Sequence, residues 1–210
     1  MWCAVLTGAL LFALITWQVV VRGPLLRADT RLDQHLVGRG PRPLTEFLAD
    51  LGNTQVALPV LAMALGYALW RGLRLPVLSV ALATAAVPAV VVPLKALVAR
   101  ESPVDPADTG FFPSGHAATA AVAYCGAALL LHLCVRGRWP APVALALTVV
   151  TGVGLVLRGY HWPLDVLASW CLAVLLLAPT GWLSRRGRFA GRPPPGSPPR
   201  ASRAPGAPGR

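Results

Sequence analysis

The chain has 210 residues, of which 55% are hydrophobic and only 13% are charged. This composition is too apolar for an ordinary soluble domain and favours a polytopic membrane protein, and the length allows one domain. The net charge of +11 comes from basic residues that flank apolar runs instead of forming a stripe with aromatic residues, so nucleic-acid binding is disfavoured.

Six apolar runs predict an all-α fold built as a bundle of six transmembrane helices. Each run has about 15 to 20 residues, and about 20 are needed to cross a hydrocarbon core. The first run lacks a preceding basic segment and a small-residue cleavage pattern, so we interpret it as an uncleaved helix rather than a signal peptide. The second run is short, so the second span must include polar residues next to the run. The runs cover residues 2–21, 56–70, 75–94, 117–135, 139–157 and 164–182.

Two longer polar stretches accompany these runs. Residues 22–55 are mixed in charge, and within them residues 44–51 have a helical periodicity that fits a helix along the membrane interface. Residues 184–210 are rich in Pro, Gly and Arg, cannot bury a core and are predicted to form a disordered tail. We therefore assign the membrane domain to residues 1–183.

The number of spans and the basic residues together predict the orientation. Six spans put both termini on one side and the loops after the first, third and fifth spans on the other. The basic turns at 71–74 and 136–138 and the Arg-rich tail share the side of the termini, which predicts cytoplasmic termini in the cell membrane. Five Arg residues in the first loop argue against this orientation.

Two loop-to-helix boundaries on the predicted extracytoplasmic side carry residues that suit phosphate chemistry. At the first, Ser114 is a good N-cap residue, Gly115 permits close approach of the backbone, and His116 follows in the first turn. A helix beginning there would direct its N–H groups at an anion. At the second, His161 and Asp165 are four residues apart and would share one face of a helix.

This pattern suits nucleophilic catalysis at phosphorus. Asp165 could accept a hydrogen bond from one nitrogen of His161 and leave the other free to attack, giving a phosphohistidine intermediate. His116 could protonate the leaving oxygen and later activate water. No carboxylate cluster suggests a metal, so we expect metal-independent catalysis without a cofactor. The candidates for holding the phosphate oxygens are Lys95, Arg100, Ser114, Gly115 and Arg158.

Three motifs in this region follow one another along the chain. They are Lys95 with Pro103, the block Pro113-Ser114-Gly115-His116, and His161-x-x-x-Asp165. Together they resemble the three-part signature of the type-2 phosphatidic acid phosphatase family, lipid phosphatases related to the vanadium haloperoxidases. The resemblance covers roughly residues 1–183. It implies an all-helical membrane core that hydrolyses a lipid phosphate or pyrophosphate of the phosphatidate, phosphatidylglycerol phosphate or polyprenyl type, at the extracytoplasmic face.

The resemblance also implies individual roles. His161 would be the nucleophile, Asp165 its orienter and His116 the acid and base. Lys95 and Ser114 would be phosphate ligands.

The sequence departs from this family at two arginines. Counting along the family pattern, the first arginine position holds Ser102, and the Ser-Arg pair of the third motif is replaced by Gly154-Leu155. Arg100 lies close to the first of these positions and Arg158 close to the second. Our hypothesis is that Arg100 and Arg158 supply the missing positive charges.

Three functions remain open at this point. The first is a membrane lipid phosphatase, whose partners would be a lipid phosphate substrate and the surrounding membrane lipids. The second is a non-catalytic family relative that binds lipid phosphate or a membrane partner. The third is a small transporter or scaffold that relays protons. The presence of both histidines and the aspartate favours the first. His132 falls toward the wrong end of the fourth span and is excluded from the site, as is His35.

Overall fold

The computed structural model describes the backbone of residues 2–135 and 137–190, with side chains as far as residue 183. Within this part of the chain all regular secondary structure is helical, apart from one isolated bridge between Glu101 and Thr109. The predicted all-α fold is therefore confirmed. The helices are α1 (Trp2–Val20), α2 (Pro24–Leu36), α3 (Arg42–Asp50), α4 (Thr54–Trp70), α5 (Arg74–Val98), α6 (Gly115–Cys134), α7 (Pro140–Leu157) and α8 (Pro163–Ala190).

Five of these helices are long and apolar enough to cross a membrane, namely α1, α5, α6, α7 and the part of α8 from Pro163 to Leu183. α4 alone has 17 residues and spans about 26 Å, short of a hydrocarbon core of about 30 Å. Together with α3 it meets the same criteria, with a bend of 45° between the two. Counting this bent pair as one span gives the six predicted spans of a multi-pass membrane protein.

α6 lies at the centre of the bundle and contacts α4, α5, α7 and α8. Most of its buried residues are alanines, whose small side chains let the neighbouring helices come close. At Gly126 even a methyl group would crowd the bundle, because a Cβ there would lie 2.8 Å from the side chain of Val80 on α5. The helix that starts with the Pro-Ser-Gly-His block is therefore surrounded by the others.

The two predicted boundaries lie at the same end of the bundle. α5 and α7 end there, while α6 and α8 begin there, and α2 and α3 pack against α8 and α7. The segment around residues 44–51 is helical, as its periodicity predicts. Lys95 follows the predicted end of the third apolar run at residue 94 but lies within α5, because this helix continues to Val98.

α8 continues as a helix to Ala190, past the predicted domain boundary at residue 183. Residues 191–210 lie outside the part of the chain that the structure describes. The disorder predicted for this tail therefore stays a prediction.

Candidate active site

The loop before α6 is tied directly to the start of α8. Ser114 caps α6, since its Oγ accepts a hydrogen bond from the amide of Ala117 at 3.2 Å. The amide of Ser114 donates to the backbone oxygen of Asp165 at 3.3 Å. The hydroxyl of Ser169 lies 2.8 Å from the backbone oxygens of both Ser114 and Asp165. Ser114 and Ser169 are fully buried, so these contacts hold the two sequence motifs together.

His161 is buried beside the carboxylate of Asp165. Its Nδ1 lies 3.4 Å from Asp165 Oδ2, which also accepts a hydrogen bond from the amide of Trp162 at 3.2 Å. The His–Asp contact is longer than a strong charge-assisted hydrogen bond, which is about 2.7–2.9 Å. With Nδ1 turned toward the carboxylate, Nε2 is the ring nitrogen left for a ligand.

Arg100 lies behind this pair, between two carboxylates. Its Nη1 is 2.5 Å from Asp165 Oδ1 and its Nη2 is 2.5 Å from Asp29 Oδ2. All three side chains are at least 94% buried. The guanidinium also lies 4.9 Å from the ring centre of Trp162. Both guanidinium NH2 groups thus face protein carboxylates, an arrangement that differs from the phosphate contact predicted from the sequence.

Asp29 is a residue of this site that the sequence reasoning missed. It lies on α2, and its Oδ1 accepts a hydrogen bond from the amide of Leu164 in the first turn of α8 at 2.9 Å. A signal existed in the sequence, because Leu26, Asp29, Asp33 and Leu36 recur at the spacing of one helix face. Two acids on an otherwise apolar face indicate polar partners inside the protein.

Asp33, one turn further along α2, is also buried. Burial and the neighbouring charge of Asp29 raise its pKa to about 6, against the opposing attraction of Arg100. Burial likewise raises the pKa of Asp29 above its usual range, although Arg100 acts to lower it. Among the described contacts, Oδ1 of Asp33 has no hydrogen-bond partner.

The two histidines line one cavity of about 380 Å³ at this end of the bundle. Its walls are partly acidic and include Asp50 from α3. Ser102 and Leu155, which occupy the positions where the family pattern has arginines, line it as well. The structure therefore brings these two positions to the site, but with a hydroxyl and an apolar side chain in place of two positive charges.

A second, mainly apolar groove of about 410 Å³ shares the lining residue His116 with the first cavity. It runs between α4, α5 and α6 and is lined by Lys95, Gly115 and apolar side chains such as Val91. Lys95 Nζ lies 5.9 Å from the ring centre of Phe111, and that ring lies 5.6 Å from the ring of His161. Lys95 and His161 thus both lie near one aromatic side chain.

Arg158 stands apart from the other predicted residues. Its guanidinium lies 5.6 Å from the ring centre of Tyr160, and its buried Nε has no hydrogen-bond partner among the described residues. Arg158 lines neither of the two cavities, whereas Tyr160 lines the first. Its predicted contact with phosphate would therefore need a change of side-chain position.

The part of the chain that the structure describes contains no group of three or more His, Cys, Asp or Glu side chains suited to a metal ion. The metal independence expected from the sequence stays a prediction.

Comparisons with known proteins agree with the motifs. A transmembrane PAP2-type phosphatidylglycerolphosphate phosphatase from Bacillus subtilis has a similar crystal structure, with a TM-score of 0.72 over 87% of this chain and 96% of that one. The two sequences are 18% identical, so this likeness shows the shared fold. No curated protein sequence matches significantly. The family model of the PAP2 superfamily matches residues 76–188, more than half of the chain and all three motifs, and the chain therefore belongs to that superfamily.

Proposed function

We propose that the protein is an integral membrane phosphatase that hydrolyses a lipid phosphate monoester or pyrophosphate. The observation that carries the proposal is that His116 and His161 line one cavity and that His116 also lines an apolar groove between membrane spans. A phosphate held between the histidines could keep its lipid chain in that groove. Membership of the PAP2 superfamily supports the same chemistry.

In the first proposed step, His161 Nε2 attacks phosphorus. A P–N bond forms while the P–O bond to the lipid breaks, and His116 donates a proton to the departing oxygen. Asp165 holds the proton on Nδ1 of His161, so that Nε2 is unprotonated when the phosphate arrives. The product of this step is a phosphohistidine and a free lipid alcohol or lipid phosphate.

In the second step, water attacks the phosphohistidine. His116, now unprotonated, accepts a proton from that water as the P–N bond breaks and inorganic phosphate leaves. Lys95 and the N-terminal amides of α6 are the groups we propose to stabilise the equatorial oxygens. Each catalytic group thus returns to its starting state.

The candidate substrates are phosphatidate, phosphatidylglycerol phosphate and polyprenyl pyrophosphate. Phosphatidylglycerol phosphate is the first to test, because the similar solved structure is that of a phosphatidylglycerolphosphate phosphatase. We further propose that the site faces the extracytoplasmic side and that both termini are cytoplasmic, since the basic turn at residues 71–74, between α4 and α5, lies at the opposite end of the bundle.

The test is phosphate release by the purified protein in detergent micelles, with each of the three lipids. We expect release from at least one lipid and inhibition by vanadate, which mimics pentacoordinate phosphorus. His161→Ala should remove the activity, and His116→Ala should lower it by roughly 10²- to 10⁴-fold, the usual contribution of a general acid or base. His35→Ala is the matched control, because this exposed histidine hydrogen-bonds the backbone of Arg31, on α2.

One observation favours a second candidate, a non-catalytic relative that binds lipid phosphate. Ser102 and Leu155 stand where the family pattern has two arginines. Saturable binding of a lipid phosphate without release of phosphate from any of the three lipids would support this candidate and contradict the phosphatase.

A further inference from the structure

We propose that Asp29 and Arg100 are positioning residues for the catalytic pair, in a buried relay that runs from Asp29 through Arg100 and Asp165 to His161. The inference rests on the proposed phosphatase for its kinetic test. It assigns Arg100 to the carboxylate of Asp165 instead of to the substrate, and it gives α2 a part in the active site.

The contacts define what each carboxylate oxygen of Asp165 does. Oδ1 faces Arg100 Nη1 at 2.5 Å, while Oδ2 faces His161 Nδ1 and the amide of Trp162. A carboxylate held by the guanidinium on one side cannot rotate freely, so its other oxygen stays directed at the imidazole. The orientation of His161 therefore depends on Arg100.

Arg100 is in turn fixed by groups distant in the sequence. Asp29 binds its Nη2 at 2.5 Å, and the ring of Trp162 lies 4.9 Å from its guanidinium carbon. Asp29 is itself held by the amide of Leu164, in the first turn of α8. A planar guanidinium can bridge two carboxylates in this way, whereas a lysine ammonium has no such fork.

Burial separates this arrangement from an ordinary surface ion pair. The side chains of Asp29, Arg100 and Asp165 are 1%, 6% and 0% exposed. The adjacent pair of Arg22 and Glu101 has a similar contact, 3.1 Å, but its side chains are 78% and 52% exposed. Solvent screens the second pair and not the first, so a change at Asp29 should reach the histidine while a change at Glu101 should not.

The experiment measures kcat and KM for Asp29→Asn, Arg100→Gln and the double variant. Asp29→Asn keeps the size of the side chain and an oxygen for the amide of Leu164. A positioning role predicts that kcat falls roughly 10- to 100-fold while KM changes less than about threefold. The double variant should be no slower than Arg100→Gln, because both changes break one relay.

Glu101→Gln is the matched control and should keep wild-type kinetics. If Asp29→Asn does not fold, Arg100→Lys carries the same test, since it keeps the charge and loses the bridge. Wild-type kcat in Asp29→Asn, or in Arg100→Lys if Asp29→Asn does not fold, would overturn the proposal. So would a rise in KM at unchanged kcat, because that change indicates a phosphate ligand. Multiplying effects in the double variant would also overturn it, since they indicate two independent roles.

A spectroscopic measurement keeps this proposal distinct from the phosphatase itself. The chain has four histidines, so ¹⁵N-histidine NMR in micelles can identify His161 by its absence in His161→Asn. We expect neutral His161 to carry its proton on Nδ1 in the wild type and to show a mixture of tautomers in Asp29→Asn. If the spectra show this result and the wild type releases no phosphate, the proposed phosphatase activity is contradicted and the relay is supported. Identical spectra from an active wild type and from Asp29→Asn would reject the relay alone.

Discussion

Lys95 supplies the positively charged side chain in the walls of the two cavities taken together. Among the described residues it is the one Lys or Arg side chain that lines either cavity. Arg100 is directed at two carboxylates, and Arg158 lies against Tyr160. A phosphate bound between the histidines would therefore depend on Lys95 and on the amides at the start of α6.

We expect Lys95→Met to weaken vanadate inhibition by about 10- to 100-fold, because a charged hydrogen bond contributes about 1.5–3 kcal/mol. Inhibition constants measured against phosphate release would show the effect. Arg74→Met, which removes an exposed positive charge at the other end of α5, is the control. Equal constants for Lys95→Met and the wild type would mean that another group holds the anion.

Asp33 makes a prediction about stability and pH. Its pKa is about 6 in the folded protein and 3.8 ordinarily, so between these values the folded state binds more protons than the unfolded state. The contribution of Asp33 to the free energy of unfolding is therefore fully present below about pH 4 and is lost as the pH rises through 6. The difference between these two pKa values corresponds to about 3 kcal/mol in the free energy of unfolding.

Asp33→Asn should remove this dependence. We expect the variant to match the wild type near pH 4 and to be more stable by up to about 3 kcal/mol near pH 7. Thermal unfolding in micelles across this range is the measurement. Glu46→Gln, at a half-exposed acid on α3, should leave the pH dependence of the wild type intact. A wild type whose stability rises from pH 4 to 7 relative to Asp33→Asn would contradict the expected sign.

At the scale of elements, the contact between α3 and α7 is made at Gly154. A Cβ at this position would lie 2.4 Å from the backbone nitrogen of Ala49, so the two helices touch backbone to backbone. The next residue, Leu155, is buried and packs with Ala49 in the same apolar cluster. A serine at 154 would push α3 away from α7.

Gly154→Ala should therefore destabilise the protein by about 1–3 kcal/mol, as overpacking usually does. Gly66→Ala is the matched control, because no atom lies within 4 Å of a Cβ at that position of α4. It should be neutral or slightly stabilising, since alanine favours a helix more than glycine does. Unfolding temperatures in micelles compare the two. Equal temperatures for both variants would mean that α3 can shift without cost.

At the scale of the whole molecule, the site is assembled where helices of alternating direction meet. α5 and α7 end at this face of the bundle, and α6 and α8 begin there. Residues from α2 and from the α5–α6 connection complete the group around His161. The similar Bacillus subtilis structure covers 87% of this chain at 18% identity, so the helical arrangement persists while most side chains differ.

The sequence alone determined the membrane-spanning helices and the two histidine motifs, whereas α2 was not predicted. Spans are readable because about 20 apolar residues must be consecutive to cross a bilayer, and the spacing of His161 and Asp165 is local. Because successive spans alternate in direction, the sequence also predicted that both motifs lie at one end of the bundle. The bent pair α3–α4 was the exception, since its length is divided by a turn.

Only the tertiary structure decided which charges pair. Arg100 is 71 residues from Asp29 and 65 from Asp165, so no local pattern reports that it bridges them. Ser102 and Leu155 likewise line the cavity through the packing of separate elements. The free energy of a buried charge depends on partners and on water exclusion, and both are set by neighbours that are remote in the sequence.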